Sequence, residues 1–310
     1  MEYANTAVSR LDTENSMTKA TVLIPHYKGV KFLKILLPSI ANQTFKDYEV
    51  IVIDDCTPDR SAVEYIKTFI KDHNDIRLVE NTKNIGFVKT VNKGIRLSNG
   101  EYICLLNQDT EVKQNFVERN IEILDSDASI CALSCIIVDR YGKNWWSGGN
   151  FKEGYSVNLT DDFEGIRPVD FVAGTAAFYR KAVFEQIGLF DESYGMYHED
   201  VEFGLRIKAE TSYRACAFSD KLVIHYNVNS VPRPEVVFLL NRNSVLIIRK
   251  YCPQLLRRMI LYGSVYDVML LGKNALALDS KLFSRNLAGF RGKLSGFRKR
   301  PSEIPKLVER

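Results

Sequence analysis

Residues 48–54, YEVIVID, are followed at once by Asp55 and a turn-forming CTPD, and their reading decides the fold. An apolar, β-branched run of this length is too short for a helix and reads as a strand buried on both faces, as in parallel sheets. Working outward, 20–25 (ATVLIP), 76–80 (IRLVE) and 101–106 (EYICLL) repeat the theme. Between them lie segments of helical period: 30–41, with Phe32, Leu33, Leu36, Leu37 and Ile40 apolar, then 62–70, then 87–97. Strands alternating with helices imply βαβ units and a sheet covered on both faces.

Further along, 132–138 predicts another strand, and 141–162, rich in Gly, Asn and Trp, an insert or hairpin. A strand at 175–179, a helix at 181–187 and an acidic helix start at His198-Glu199-Asp200 follow, and 222–224 leads to His225. Acidic residues favour a helix N-terminus through its unpaired amides and dipole, so that motif needs no function to explain it.

The chain has 310 residues, 45% hydrophobic and 26% charged, which fits a folded body and excludes collagen-like, disulfide-scaffold and disordered classes. Residues 1–18 are polar, lack an apolar signal core and read as a disordered tail. The six cysteines sit mostly inside apolar runs without paired spacing, which suits reduced thiols in a cytoplasmic protein better than zinc or disulfides.

In open α/β sheets, ligands bind beyond the carboxyl ends of the strands. Those ends here read Pro25-His26-Tyr27, Asp54-Asp55, 81–86 and Asn107-Gln108-Asp109, a convergence of carboxylates and amides suited to a polar ligand with a cation. No GxGxxG or GxxxxGK[ST] follows any of them, which disfavours dinucleotide oxidoreductases and P-loop NTPases.

Taken together, TVLIPHYKG, EVIVIDDCTPD, NTKNIGFVKTVNKGI, YICLLNQDTEV, FVAGTAAFYRKAVFEQIGLFDES and YGMYHEDVEFGLRIKAETSYR, ending in VIHYNVNS, resemble the inverting family 2 glycosyltransferases of GT-A fold, especially the rhamnosyltransferase-like branch. The resemblance covers roughly 20–230, with a weaker echo in RNSVLIIRKYCP. It implies an α/β GT-A-type mixed sheet with a Rossmann-like nucleotide-binding half over 19–230, and a basic helical extension over 231–310.

The resemblance also implies roles. Pro25, Tyr27, Asp54 and Asp55 form the nucleotide pocket, a carboxylate accepting the imide N–H of uracil or thymine. Asn84 and Gly86 let backbone approach the ribose, while Asn92 and Lys93 reach towards the diphosphate. Asn107-Gln108-Asp109 stands where the family carries DxD, so one carboxylate is replaced by an amide, and Asp109 with His225 holds Mg²⁺ or Mn²⁺. Gly174 and Thr175 lie beneath the donor sugar, and Asp191, Tyr197 and His198 contact sugar or acceptor. Asp200 is the general base, with Glu199 orienting it or binding acceptor. Trp146, beside Trp145, either stacks on a sugar ring or pins the insert to the body.

From Arg257 to Arg310 there are 12 Lys and Arg against 4 Asp and Glu, so the overall charge of +4 comes from the tail. Residues 259–278 are apolar yet carry Asp267 and Lys273, unlike a spanning helix, and 282–300 interleave Leu and Phe with Arg and Lys. Two readings stand side by side: a helix on an anionic membrane surface, making the protein peripheral at the inner face of the cell membrane, or a hairpin forming a homodimer. No nucleic-acid motif is present. The expected activity moves a sugar from a UDP- or dTDP-linked donor to a glycan or lipid-linked acceptor. Its rivals are a sugar nucleotidyltransferase, whose basic glycine-rich loop is missing, and a degenerate glycan-binding scaffold.

Overall fold

The computed structural model describes residues 18–227, 232–258, 269–271 and 280–298. All of the expected 1–18 tail but Thr18, and most of the amphipathic stretch at 259–278, therefore lie outside the described residues.

Strands β1 (Ala20–His26), β2 (Tyr48–Asp54), β3 (Ile76–Glu80) and β4 (Tyr102–Leu106) pair in parallel, β1 lying between β2 and β4. Helices α1 (Val30–Ala41), α2 (Arg60–Phe69) and α3 (Phe87–Leu97) make the crossovers. The period of two sends alternate side chains to opposite faces. Val22, Ile24, Val50, Val52, Cys104 and Leu106 join the core under α1 and α2, while Leu23, Ile51, Ile53, Ile103 and Leu105 join the core under α3. Close approach of α3 depends on Gly94, where a Cβ would stand 2.6 Å from Ile53 Cδ1.

The remaining strands make the sheet mixed. They are β5 (Thr110–Val112), β6 (Ile130–Asp139), β7 (Asn144–Trp146), β8 (Gly149–Lys152), β9 (Tyr155–Asn158), β10 (Ile166–Val169), β11 (Ala176–Arg180) and β12 (Arg214–His225). The order runs β10-β12-β6-β11-β4-β1-β2-β3, with β11 inserted antiparallel to both β4 and β6. Strand β5 pairs with the end of β12, bringing Thr110 opposite His225. Residues 141–162 form β7 and the separate β8–β9 hairpin, as their turn-rich composition predicts.

Helices α4 (Phe116–Ser126), α5 (Lys181–Ile187) and α6 (Glu199–Glu210) complete the covering layers. Helix α7 (Pro234–Tyr251), within the stretch expected to be an extension, docks on this body. Its Leu246 and Ile247 share a core cluster with Phe171, Tyr194, Val201 and Leu205. Helix α8 (Ser280–Arg298) lies along α7 through Gly289, Gly292 and Gly296; a Cβ on Gly292 would meet Phe238 O at 2.2 Å. Arg249 Nη1 caps the far end by donating to Gly296 O at 2.6 Å. The two helices run in the same direction, Gly289 meeting Val237 and Asn241 and Gly296 meeting Arg242 and Val245. No helix among the described residues is long and apolar enough to cross a membrane.

All six cysteines are free thiols. Cys131 and Cys135 point into different cores, so they do not form a pair.

Candidate active site

The carboxyl ends of β1, β2 and β4 open into a cavity of about 530 Å³. Of the residues expected at the donor site, Pro25, Tyr27, Asp55, Asn84, Gly86, Asn107, Gln108 and Asp109 line it. They are joined by His26, Phe87, Thr90, Gly195, Met196, Leu239 and Arg242, which the sequence reading did not assign. Leu239 and Arg242 come from α7, and no local motif announces that a helix so far along the chain reaches the strand ends.

Asp55 organises one wall. Its carboxylate accepts from Asn81 Nδ2 at 2.9 Å, Ile85 N at 2.8 Å and Gly86 N at 2.9 Å, and so holds the loop that opens α3. Gly86 has φ 89°, in the left-handed range that favours glycine. Asp54 is fully buried below this wall, accepting from Thr57 N at 3.1 Å, with His26 Nε2 3.9 Å away. Of the two adjacent acids, only Asp55 borders the cavity.

Gln108 links the ends of β4 and β1. Its Nε2 donates to Lys28 O at 2.9 Å, and its Oε1 accepts from Tyr27 N at 3.1 Å and from His26 Nδ1 at 2.5 Å. That arrangement puts the imidazole proton on Nδ1. Burial pushes the His26 pKa down, so the ring is neutral at physiological pH.

Asn92 and Lys93 do not line the cavity. Asn92 Nδ2 donates to Phe190 O at 2.9 Å and Glu192 Oε1 at 3.2 Å; Lys93 Nζ donates to Asn81 Oδ1 at 2.7 Å. The face of α3 that carries them is turned towards 190–192 and Asn81.

Asp109 Oδ1 lies 3.1 Å from His225 Nε2, a meeting made by the β5–β12 pairing. Trp145 packs on the His225 ring, with centroids 4.6 Å apart. Asn107 Oδ1 is buried without a hydrogen-bond partner among the described residues. Among the described residues no three His, Cys, Asp or Glu side chains form a metal cage. A carboxylate, an imidazole and an orphaned amide oxygen nevertheless fit a hard divalent ion that takes its other ligands from phosphate and water.

Helix α6 begins after Tyr197 (φ 69°) and His198 (φ 64°), two non-glycine residues held in the left-handed region. Asn243 of α7, fully buried, holds this turn: its Nδ2 donates to Met196 O at 2.8 Å and Tyr197 O at 2.6 Å. The turn delivers Glu199 and Asp200 as a buried acid pair. Asp200 accepts from Val201 N at 2.8 Å and Gly174 N at 3.3 Å, yet burial pushes its pKa up to about 6. Burial and the neighbouring Asp200 charge push Glu199 up to about 8.

Glu199, Asp200 and Tyr197 are not among the residues that line the cavity; burial and the Glu199 and Asp109 charges raise the Tyr197 pKa, against Arg233. Gly174 and Thr175 pack beside the pair, Thr175 O accepting from Asn107 N at 2.9 Å. Burial drives His198 down to about 4. Asp191 accepts from Ser193 N at 2.8 Å and shapes the preceding turn. Trp146 donates from its indole to Gly148 O at 3.0 Å and packs against two core clusters, the contacts of a residue that pins the insert.

Comparison with known proteins supplies independent findings. The profile of glycosyl transferase family 2 matches residues 21–188. The chain is 27% identical over 200 residues to the low-salt glycan biosynthesis hexosyltransferase Agl10 of Haloferax volcanii, covering 61% of this chain and 62% of that protein. It is 29% identical over 132 residues to glycosyltransferase GlyG of Streptococcus pneumoniae, covering 42% of each. The matches thus span less than two thirds of these relatives. Among solved structures, the mannosyltransferase PcManGT of Pyrobaculum calidifontis, in complex with GDP-Man and Mn²⁺, superposes with a TM-score of 0.56 at 18% identity, covering 94% of this chain and 91% of that one. GalNAc-T7, with UDP, GalNAc and Mn²⁺, gives 0.64 at 17% identity, covering 81% and 51%. At such identity these likenesses establish the fold, which is GT-A.

Proposed function

The chain belongs to glycosyl transferase family 2, and from that premise we propose that it is an inverting hexosyltransferase moving a sugar from a nucleoside diphosphate to a hydroxyl of a glycan or lipid-linked saccharide. The observation that carries this reading is the Asp109–His225 pair at 3.1 Å, with Asp109 and Asn107 both on the wall of a cavity floored by strand ends.

In this reading the base and ribose enter between Tyr27, Asp55, Asn84 and Gly86. The Asp55 carboxylate, held by three donors, still has lone pairs for a base N–H. Solved neighbours carry UDP-GlcNAc and GDP-Man, so guanine joins uracil and thymine as a candidate base. The rhamnosyltransferase-like resemblance favours dTDP-rhamnose among these. Asp109, His225 and the Asn107 oxygen would hold Mg²⁺ or Mn²⁺, which when bound neutralises charge on the departing diphosphate.

The acceptor hydroxyl attacks the anomeric carbon opposite the leaving group, and the bond to the phosphate oxygen breaks with its electrons leaving on the nucleoside diphosphate. Asp200 takes the hydroxyl proton. An elevated pKa suits it, since a base titrating near working pH accepts a proton at less cost in driving force. Glu199 orients Asp200 or the acceptor. Placement at an anionic membrane face belongs to the same reading: α8 carries Lys281, Arg285, Arg291, Lys293 and Arg298, with Leu282 and Leu294 exposed and its glycine face spent on α7.

The test is thermal stabilisation by UDP, dTDP and GDP and their sugars, with and without Mn²⁺ or Mg²⁺. A metal-dependent rise in Tm with one base series is expected, followed by transfer giving the inverted anomer by NMR. No stabilisation by any donor, or a retained anomer, overturns the reading.

A further inference from the structure

The cavity wall carries two carboxylates, Asp55 and Asp109, and among the described residues a single Lys or Arg, Arg242 of α7. Arg242 is half-buried and makes no salt bridge among the described residues. Its guanidinium is nevertheless held in place: Nη2 donates to Ser193 O at 3.2 Å and Tyr194 O at 2.5 Å, and Nε donates to Asn243 Oδ1 at 2.9 Å. These bonds leave Nη1, with two N–H donors, as the nitrogen without a hydrogen-bond partner among the described residues, on a side chain that lines the cavity. Partial burial lowers the Arg242 pKa, with the Tyr194 hydroxyl acting the other way.

A half-buried, oriented guanidinium with no carboxylate partner among the described residues is well suited to be completed by an anion. Its fork matches phosphate oxygens, and the bonds from Nη2 and Nε remove the rotamer entropy that binding would otherwise cost. We propose that Arg242 is a diphosphate-binding residue, Nη1 donating to a phosphate oxygen of the donor and of the departing nucleoside diphosphate. This rests on the donor-site reading above, and it deepens it by giving the cavity a fixed cation from α7, outside the segment that matches the family profile. The same guanidinium grips the carbonyls of 193–194, a few residues before Glu199 and Asp200, so the anion and the acid pair share one support.

The experiment is calorimetric binding of inorganic pyrophosphate, UDP, dTDP and GDP to the full chain, with and without Mn²⁺. Wild type is compared with Arg242→Gln, Arg242→Lys and the surface control Arg96→Gln. Arg242→Gln is expected to weaken pyrophosphate and the preferred nucleoside diphosphate by roughly 10- to 100-fold, Arg242→Lys by less, and Arg96→Gln not at all. Binding by folded Arg242→Gln within twofold of wild type overturns the proposal, as does a wild type that binds no pyrophosphate under either condition. Pyrophosphate bound through Arg242 with no added affinity for any nucleoside diphosphate leaves the anion site standing and sinks the donor reading instead. Should Arg242→Gln fail to fold, phenylglyoxal modification of Arg242 in wild type, mapped by peptide mass spectrometry, decides. Pyrophosphate is expected to slow it at least fivefold, and an unchanged rate overturns the proposal.

Discussion

Lys250 Nζ, in the last turn of α7, lies 2.7 Å from Glu202 Oε1, two residues past Asp200 on α6, and both side chains are buried. Arg206 Nη2 meets the other carboxylate oxygen of Glu202 at 3.0 Å and Tyr251 donates to Oε1 at 3.0 Å. Arg206 also donates to Ile187 O at 2.7 Å and Leu189 O at 2.8 Å. The helix carrying the acid pair is thus tied to α7 and to the 187–189 turn by one charged cluster. Removing one member of such a cluster leaves a buried charge short of partners. Lys250→Met is expected to cost about 3 kcal/mol in urea unfolding, and Lys250→Met combined with Glu202→Gln to recover part of that loss.

Gly174 and Asp200 touch. A Cβ on Gly174 would stand 2.9 Å from Asp200 Oδ2 and 3.1 Å from Asp200 Cβ, so Gly174→Ala must push the carboxylate aside. Misplacing a general base by a fraction of an ångström lowers kcat, while the cavity wall stays intact. A kcat reduced by roughly tenfold or more is expected, with nucleoside diphosphate affinity unchanged by calorimetry.

Asp200 titrates near 6 in the folded chain and near 3.8 when unfolded. Transfer that needs the carboxylate should therefore rise with pH through about 6 and level off above it. Asp200→Asn should bind nucleoside diphosphate normally and lose transfer. The linkage has a definite sign: between pH 4 and 6 the native state holds a proton that the unfolded chain releases, so burial of Asp200 costs stability increasingly as pH rises. The stability of Asp200→Asn relative to wild type is expected to grow by roughly 1–3 kcal/mol from pH 4 to 7, measured by urea denaturation.

Asp109 and His225, far apart in sequence, are brought together by the pairing of β5 with β12. Replacing either by Ala should reduce the Mn²⁺-dependent part of nucleoside diphosphate stabilisation and leave the metal-free melting curve near that of wild type. Equal metal dependence in the variants and wild type would remove these residues as ligands.

Helix α8 owes its close approach to glycine. Gly292→Leu places a side chain where even a Cβ meets the Phe238 carbonyl, and α8 should separate from α7. Faster limited proteolysis between the helices is expected, with Tm of the sheet domain little changed.

The four parallel strands and their crossovers were legible in the chain because each is a local pattern: apolar runs such as YEVIVID, and helical period over 30–41 and 87–97. So was the polar character of the strand ends, and with it the residues Pro25, Asp55, Asn107 and Asp109 that meet on the cavity wall. Less legible were β5, β10 and the first half of β12, because they are short, charged or broken by the bulges between Phe218 and Val223 and exist through pairing alone. That Asp55 rather than Asp54 borders the cavity follows from the strand's pleat, and that Asn92 and Lys93 hold loops follows from how α3 lies on the sheet. For α7 the sequence offered only the weak resemblance in RNSVLIIRKYCP, which starts at Arg242 and Asn243 without a role for either, and docking against the 193–198 turn gives their polar atoms work. Sequence determined what depends on neighbours along the chain, and tertiary structure decided what depends on neighbours across it, because hydrogen bonds and ion pairs are set by distance in space.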